Sequence, residues 1–196
     1  MRLKAALVLC LSLTSCGDAG GRTQIHSIVL LTVADLGANH VGPLGAPQSL
    51  TPALDRLAST SVSFENAAAA SAWPIPSLYA LMTSRYVESH RPAETLDVRR
   101  SQEPTLAEIL DADGFETAAF VGGLDSALRP GPARGFKTYV HRSDAMLSVL
   151  APLAVDWLKQ HPGRKRFLWI QVMDLAPAAQ LHDPNAYRSA LQALDG

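Results

Sequence analysis

Residues 27–33 read Ser-Ile-Val-Leu-Leu-Thr-Val, an almost unbroken apolar and β-branched run. A run of this length without alternation predicts a strand buried on both faces, the environment of a parallel sheet. A loop rich in Gly and Pro follows over residues 37–49. Thr51 then stands at a helix N-cap with Pro52 at the first helical position, and Leu54, Leu57 and Ala58 fall on one face. Further out, residues 62–67 offer a second short strand and 76–84 a helix that turns Leu78, Leu81 and Met82 inward. Pro104 opens another helix, with Leu106, Ile109 and Leu110 at helical spacing and Gly114 placed to cap its end. Residues 115–121 read as a strand that stops at Gly122-Gly123. Residues 143–161 predict a long amphipathic helix with Met146, Leu150, Leu153 and Trp157 on one stripe and a kink at Pro152. The last strand falls at 167–172. Strands separated by helices imply an α/β fold, a mostly parallel sheet with helices on both faces.

The N-terminus has a different grammar. Arg2 and Lys4 precede an apolar run over residues 5–13, which ends in Thr14, Ser15 and Cys16. Charge, apolar run and small residues in that order make an export signal. The run is too short to span a bilayer, which takes about 20 apolar residues. Leu13-Thr14-Ser15-Cys16 resembles the lipobox of bacterial lipoproteins. Residues 1–15 are therefore expected to be a lipoprotein signal peptide, Cys16 the acylated membrane anchor, 16–26 a polar tether, and 27–196 the folded domain. A plain secretion signal, with Cys16 incidental, is the competing reading. The other cysteine, Cys10, would leave with the signal, so the mature chain carries no disulfide or thiolate metal site. A hydrophobic content of 47% with 18% charged residues fits a globular protein. The formal charge of −1 gives no reason to expect nucleic acid.

Four stretches in order are similar to the sulfatase family of the alkaline-phosphatase superfamily. They are Ile-Val-Leu-Leu-Thr-Val-Ala-Asp-Leu-Gly-Ala-Asn-His-Val-Gly-Pro-Leu-Gly at 28–45, the segment 51–73, the segment 104–123, and Phe-Leu-Trp-Ile-Gln-Val-Met-Asp-Leu-Ala-Pro at 167–177. The resemblance implies attack on a sulfate or phosphate ester by an activated nucleophile, with a divalent cation and basic groups neutralising the non-bridging oxygens. Such a cation, Ca²⁺ or another, takes hard oxygen ligands.

Position by position, this chain departs from that pattern. The paired acids after the first strand fall on Ala34 and Asp35, leaving Asp35 as the one candidate metal ligand; a turn-forming Asp is the alternative. The nucleophile position is Pro74 and the basic position Leu78. Ser77 is the substitute hydroxyl, read otherwise as a helix cap. In the fourth stretch both expected histidines are replaced, by Gln171 and Ala176, and Asp174 persists. Asn39, His40 and Asp174 complete the cleft candidates, while His26, His90, His141, His161 and His182 read as surface or packing residues. The cluster Arg164-Lys165-Arg166 offers either a weak contact with anionic lipid or a solvated loop.

The tail 186–196 resembles the start of a family helix, so the resemblance implies a truncated, N-terminal half of the fold without the later metal ligands. Three functions follow. One is a catalytically inactive, sulfatase-like lipoprotein of the bacterial envelope, with no functional cofactor. Another is an active metal-dependent sulfatase or phosphoesterase with a relocated nucleophile, Ser77, and Asp35 with Asp174 on the metal. The third is a membrane-tethered interaction module whose protein partner the sequence does not identify.

Overall fold

Four parallel strands form the centre of the molecule, and helices lie against both sides of them. The computed structural model describes residues 26–46, 49–86, 103–123 and 131–196. The signal segment, Cys10, Cys16, the tether up to residue 25, His90 and the polar stretch from Pro92 lie outside the described residues. In chain order the elements are β1 (Ser27–Val33), α1 (Pro52–Ala58), α2 (Pro74–Thr83), α3 (Leu106–Ala112), β2 (Glu116–Gly122), β3 (Thr138–Arg142), α4 (Leu147–Gln160), β4 (Arg166–Val172), α5 (Ala176–Gln180) and α6 (Pro184–Asp195). Two single 3-10 turns, Ala38–His40 and Gly42–Leu44, follow β1. The sheet order is β1-β4-β2-β3 and every pair is parallel.

The pleat sends alternate side chains to opposite faces. On one face Ala119 and Val121 of β2 and Phe167 and Trp169 of β4 pack with Leu78 and Met82 of α2, Ala107 of α3, and Phe115 and Phe136. On the other, Ala118, Phe120, Leu168, Ile170 and Val172 meet Leu150, Ala154 and Trp157 of α4. A smaller cluster of Leu50, Leu175 and Leu191 fastens α6 beside the end of β4.

Burial on both faces belongs to the central strands β2 and β4, and not to β1. Among the described residues no strand pairs with the outer edge of β1, and α4 packs over β2 and β4. Val29 and Leu31 are consequently 55% and 43% exposed. An unbroken apolar run therefore identified the strand but misplaced it in the sheet. Residues 62–67 form no strand; Val62 and Phe64 lie on an exposed loop, where no neighbouring strand satisfies their backbone. In α4 the buried stripe is Leu150, Ala154 and Trp157, whereas Met146 is the exposed N-cap residue and Leu153 lies on the flank.

Helix starts are secured by side chains both distant and local in sequence. Thr51 caps α1 without a side-chain bond; instead the Asp195 carboxylate accepts the Ala53 and Leu54 N–H groups at 2.6 and 2.9 Å. Thr105 and Glu108 form a capping box at the start of α3. Arg134 Nε donates to Glu108 Oε1 at 2.7 Å. Burial pushes the Glu108 carboxyl up, but the bonds from Arg134 and the Thr105 N–H, with the Arg134 charge, outweigh it and hold the group below its ordinary value. Gly135 is required here: its φ is +91, and a Cβ would lie 2.5 Å from Glu108 N. The basic cluster makes contacts within the protein. Arg164 and Lys165 pair with Glu116 and Asp113 at 3.0 Å each, and Arg166 donates to Ser27 Oγ and the Leu158 carbonyl.

Candidate active site

Ligands of parallel α/β sheets bind outside the carboxyl ends of the strands. At that edge the Ala34 N–H donates to the Val172 carbonyl at 3.0 Å, extending the β1–β4 ladder by one residue. Asp35 then turns into the left-handed region, φ 60. Its side chain is exposed, and its carboxylate accepts no hydrogen bond among the described residues. The turn is gripped from α6. Tyr187 Oη donates to the Asp35 carbonyl at 2.7 Å and accepts the Gly37 N–H at 3.1 Å. The His40 ring lies against the Tyr187 ring, centroids 4.7 Å apart. His40 is thus a packing residue of this turn, and Asn39 is exposed beside it.

The helix that aligns with the family's nucleophile is built for packing at its entry. Pro74 and Pro76 occupy its first turn, where proline lacks only an N–H that would have no helical partner. Trp73 is its N-cap and makes no side-chain cap bond. Leu78, at the basic position, is buried in the core. Ser77 does not cap the helix. Its N–H makes the ordinary helical bond to the Trp73 carbonyl at 3.1 Å, and its hydroxyl has no hydrogen bond among the described residues.

Gln171 replaces the first expected histidine and is 1% exposed. Trp169 Nε1 donates to Thr32 Oγ1 at 2.9 Å, Thr32 Oγ1 donates to Gln171 Oε1, and Gln171 Nε2 donates to the Val172 carbonyl at 3.0 Å. This relay satisfies every member beneath the strand ends, as buried polar groups require. Ala176, at the second histidine position, is buried at the start of α5.

Asp174 is held by α4. The Leu147 N–H approaches its two carboxylate oxygens at 2.9 and 3.3 Å. Burial raises its carboxyl above the ordinary value, and the backbone hydrogen bonds only partly offset this. Beside it opens a cleft of ≈ 290 Å³ at the ends of β2, β3 and β4, whose walls include Gly123, Ser143, Asp144, Met146 and Met173.

The titration of Asp174 has a definite sign. As pH rises, the unfolded chain loses this proton before the folded chain does, so folding stability falls between the ordinary carboxyl pKa and the raised one. Asp174→Asn keeps an oxygen facing the Leu147 N–H and removes the buried charge. The variant is expected to be at least as stable as wild type at neutral pH, with a flatter stability profile at acidic pH. Chemical denaturation at a series of pH values tests this, and a less stable Asn variant at neutral pH would show that the charge itself holds the helix.

The sequence candidates rest on different supports: Asp35 and His40 beside Tyr187 of α6, Asp174 against the start of α4, and Ser77 on α2, with Asp35 and Asp174 each two residues beyond the paired ends Val33 and Val172 of adjacent strands. Among the described residues no group of three or more His, Cys, Asp and Glu side chains is placed to hold a metal ion. A hard cation takes six or more oxygens. Among the described residues Asp35 supplies one carboxylate without a hydrogen bond and Asp174 is held by α4, so these two alone do not complete the oxygen shell of a hard cation.

A family model described as Sulfatase matches residues 26–187. The chain belongs to the sulfatase family. An N-acetylgalactosamine-6-O-sulfatase of Bacteroides thetaiotaomicron is 30% identical over 128 residues, covering 63% of this chain and 25% of that protein. A protein of the alkaline phosphatase superfamily from Vibrio parahaemolyticus shares the fold with a TM-score of 0.67 at 20% identity, over 88% of this chain and 48% of its own. The C-terminal periplasmic domain of EcEptC from Escherichia coli gives 0.65 at 16% identity, over 87% and 56%. The chain thus spans about half the length of these solved relatives and a quarter of the curated sulfatase.

These matches correct the extent given to the family likeness, which is not confined to a part of this chain. The sulfatase-like unit, a parallel sheet with flanking helices, occupies nearly the whole chain. The family match starts at residue 26, and neither it nor the described residues lend support to the signal segment. Sequence reasoning also missed Tyr187 and the Thr32–Gln171 relay. Tyr187 stood in the quoted tail, but nothing local to it signals a partner 152 positions away.

Proposed function

We propose that the chain is a sulfate- or phosphate-ester hydrolase of the sulfatase family, with Ser77 in place of the nucleophile missing at residue 74. The observation that carries this reading is the uncommitted Ser77 hydroxyl on α2, the helix whose entry the family resemblance gives to the nucleophile. Ser77 Oγ attacks sulfur or phosphorus, a new ester bond forms as the bond to the leaving oxygen breaks, and the hydroxyl proton passes to that oxygen. Water then cleaves the enzyme ester, releasing sulfate or phosphate and restoring Ser77. The name of the Bacteroides relative supports a sulfated sugar as substrate.

Pro74 and buried Leu78 favour a second reading, a protein that binds such esters without turning them over. Hydrolysis of an aryl sulfate and an aryl phosphate by the purified chain, with Ca²⁺, Mg²⁺, Mn²⁺ or Zn²⁺ and with chelator, separates the two. The first reading expects release above the protein-free rate in at least one condition. Binding with no release in any condition establishes the second.

The cell envelope is the setting this reading supports, given the relative described as periplasmic. No described helix is long and apolar enough to cross a membrane. Attachment would come from Cys16, a proposal that rests on residues 2–16 alone; a single acyl chain binds only marginally, and two or more anchor stably. Fatty-acid labelling is expected to disappear in Cys16→Ala, and labelling that persists in that variant contradicts the anchor.

A further inference from the structure

Most residues with a Cβ resist the left-handed backbone; Asp enters it as a single turn residue, and its surroundings decide whether it does so. Asp35 holds φ 60 at the carboxyl end of β1. Two of the backbone groups around it, its own carbonyl and the Gly37 N–H, converge on one hydroxyl, Tyr187 Oη, at 2.7 and 3.1 Å. The Tyr187 ring is braced by His40. The turn has little slack: a Cβ on Gly37 would meet Asn39 Oδ1 at 2.7 Å and His40 Cδ2 at 3.2 Å.

The helix that carries Tyr187 is itself fixed along its length. Asp183 caps its start by accepting the Asn185 N–H at 2.9 Å. Leu191 is fully buried against Leu50 and Leu175. Asp195, at its end, accepts the Ala53 and Leu54 N–H groups. Tyr187 Oη is therefore a fixed point, and the turn is set against it. The Asp35 carboxylate is the group this leaves exposed and uncommitted.

We infer that Tyr187 is a positioning residue whose hydroxyl selects the left-handed turn at Asp35 and so presents that carboxylate at the strand end. The effect on turnover rests on the hydrolase reading and on the role that the family resemblance implies for Asp35. Tyr187→Phe is the direct test, because it leaves a ring against His40 and removes only the hydroxyl. In NMR of the full chain, amide hydrogen exchange at Gly37 is expected to rise roughly tenfold, the effect of losing about one hydrogen bond. The Asp35 coupling constant and carbon shifts should leave their left-handed values, while amides of β2 and β4 keep their rates. In ester hydrolysis, Tyr187→Phe should lower kcat/KM, and adding it to Asp35→Ala should lower kcat/KM no further. Unchanged Asp35 shifts in Tyr187→Phe, or exchange that rises equally throughout the sheet, would overturn the inference. So would a loss of kcat/KM that adds fully to that of Asp35→Ala. If the wild-type chain shows no turnover, the hydrolase reading fails on its own, and the Asp35 and Gly37 signals still decide the role of Tyr187.

Discussion

Trp169→Ala is expected to destabilise the chain by roughly 3–5 kcal/mol, the range for removing a buried large aromatic side chain. Trp169 is completely buried in the middle of β4, between Leu30 of β1 and Ala119 of β2 in register. Its ring stacks on Phe136 with centroids 5.7 Å apart and belongs to the core shared with α2 and α3. Truncation would open a cavity on the face that carries α2 and would strip Thr32 Oγ1 of its donor, loosening the relay to Gln171. Domains of this size have total stabilities of about 5–15 kcal/mol, so the loss takes a large part of the whole. Trp169→Phe separates the two contributions, because it retains much of the ring and deletes the N–H; it should cost much less than the alanine change. Urea denaturation measures both. An alanine variant with a wild-type midpoint would mean that this face of the sheet is not packed as described.

The fold was legible wherever apolar runs have no alternative environment. The runs in β1, β2 and β4 and the helical spacing in α3 and α4 specify their elements locally, and alternation of strands with helices specifies the parallel sheet. What could not be read was position within the sheet. Ser27–Val33 and Arg166–Val172 have the same apolar character, yet one is the edge and the other the centre, because that depends on which neighbours arrive from elsewhere in the chain. Strand β3 escaped for a related reason: Thr-Tyr-Val-His-Arg is only half-buried and gains its place through pairing with β2. Residues 62–67 have a strand-like composition and no partner, and the structure leaves them as loop.

The candidate site was legible as a set of substitutions and not as a geometry. Pro74, Leu78, Gln171 and Ala176 could each be read as a missing catalytic group. That Leu78 becomes core, that Gln171 closes a buried relay, and that Asp174 holds the start of α4 depends on contacts between distant segments. The same holds for Ser77. A serine near a helix entry often caps it, but the N-cap here is Trp73 and Ser77 is the fourth helical residue, past the position from which a hydroxyl reaches the first N–H groups, so its hydroxyl is left uncommitted.

The central claim is that this uncommitted hydroxyl performs ester hydrolysis, and comparison of wild type with Ser77→Ala tests it most directly. Ser77 is half-buried on α2 and has no side-chain hydrogen bond to lose, so the alanine chain should retain its denaturation midpoint. Its chemistry should not survive. Loss of an attacking oxygen is expected to lower kcat by at least about 10³-fold, since groups that act as a unit fail together when one is removed. The measurement is release of the alcohol from an aryl sulfate and an aryl phosphate, over the same cation series and in chelator. Turnover by the wild-type chain that vanishes in Ser77→Ala at unchanged stability is the predicted result, and a wild-type chain without turnover, or a Ser77→Ala chain that retains it, would contradict the account.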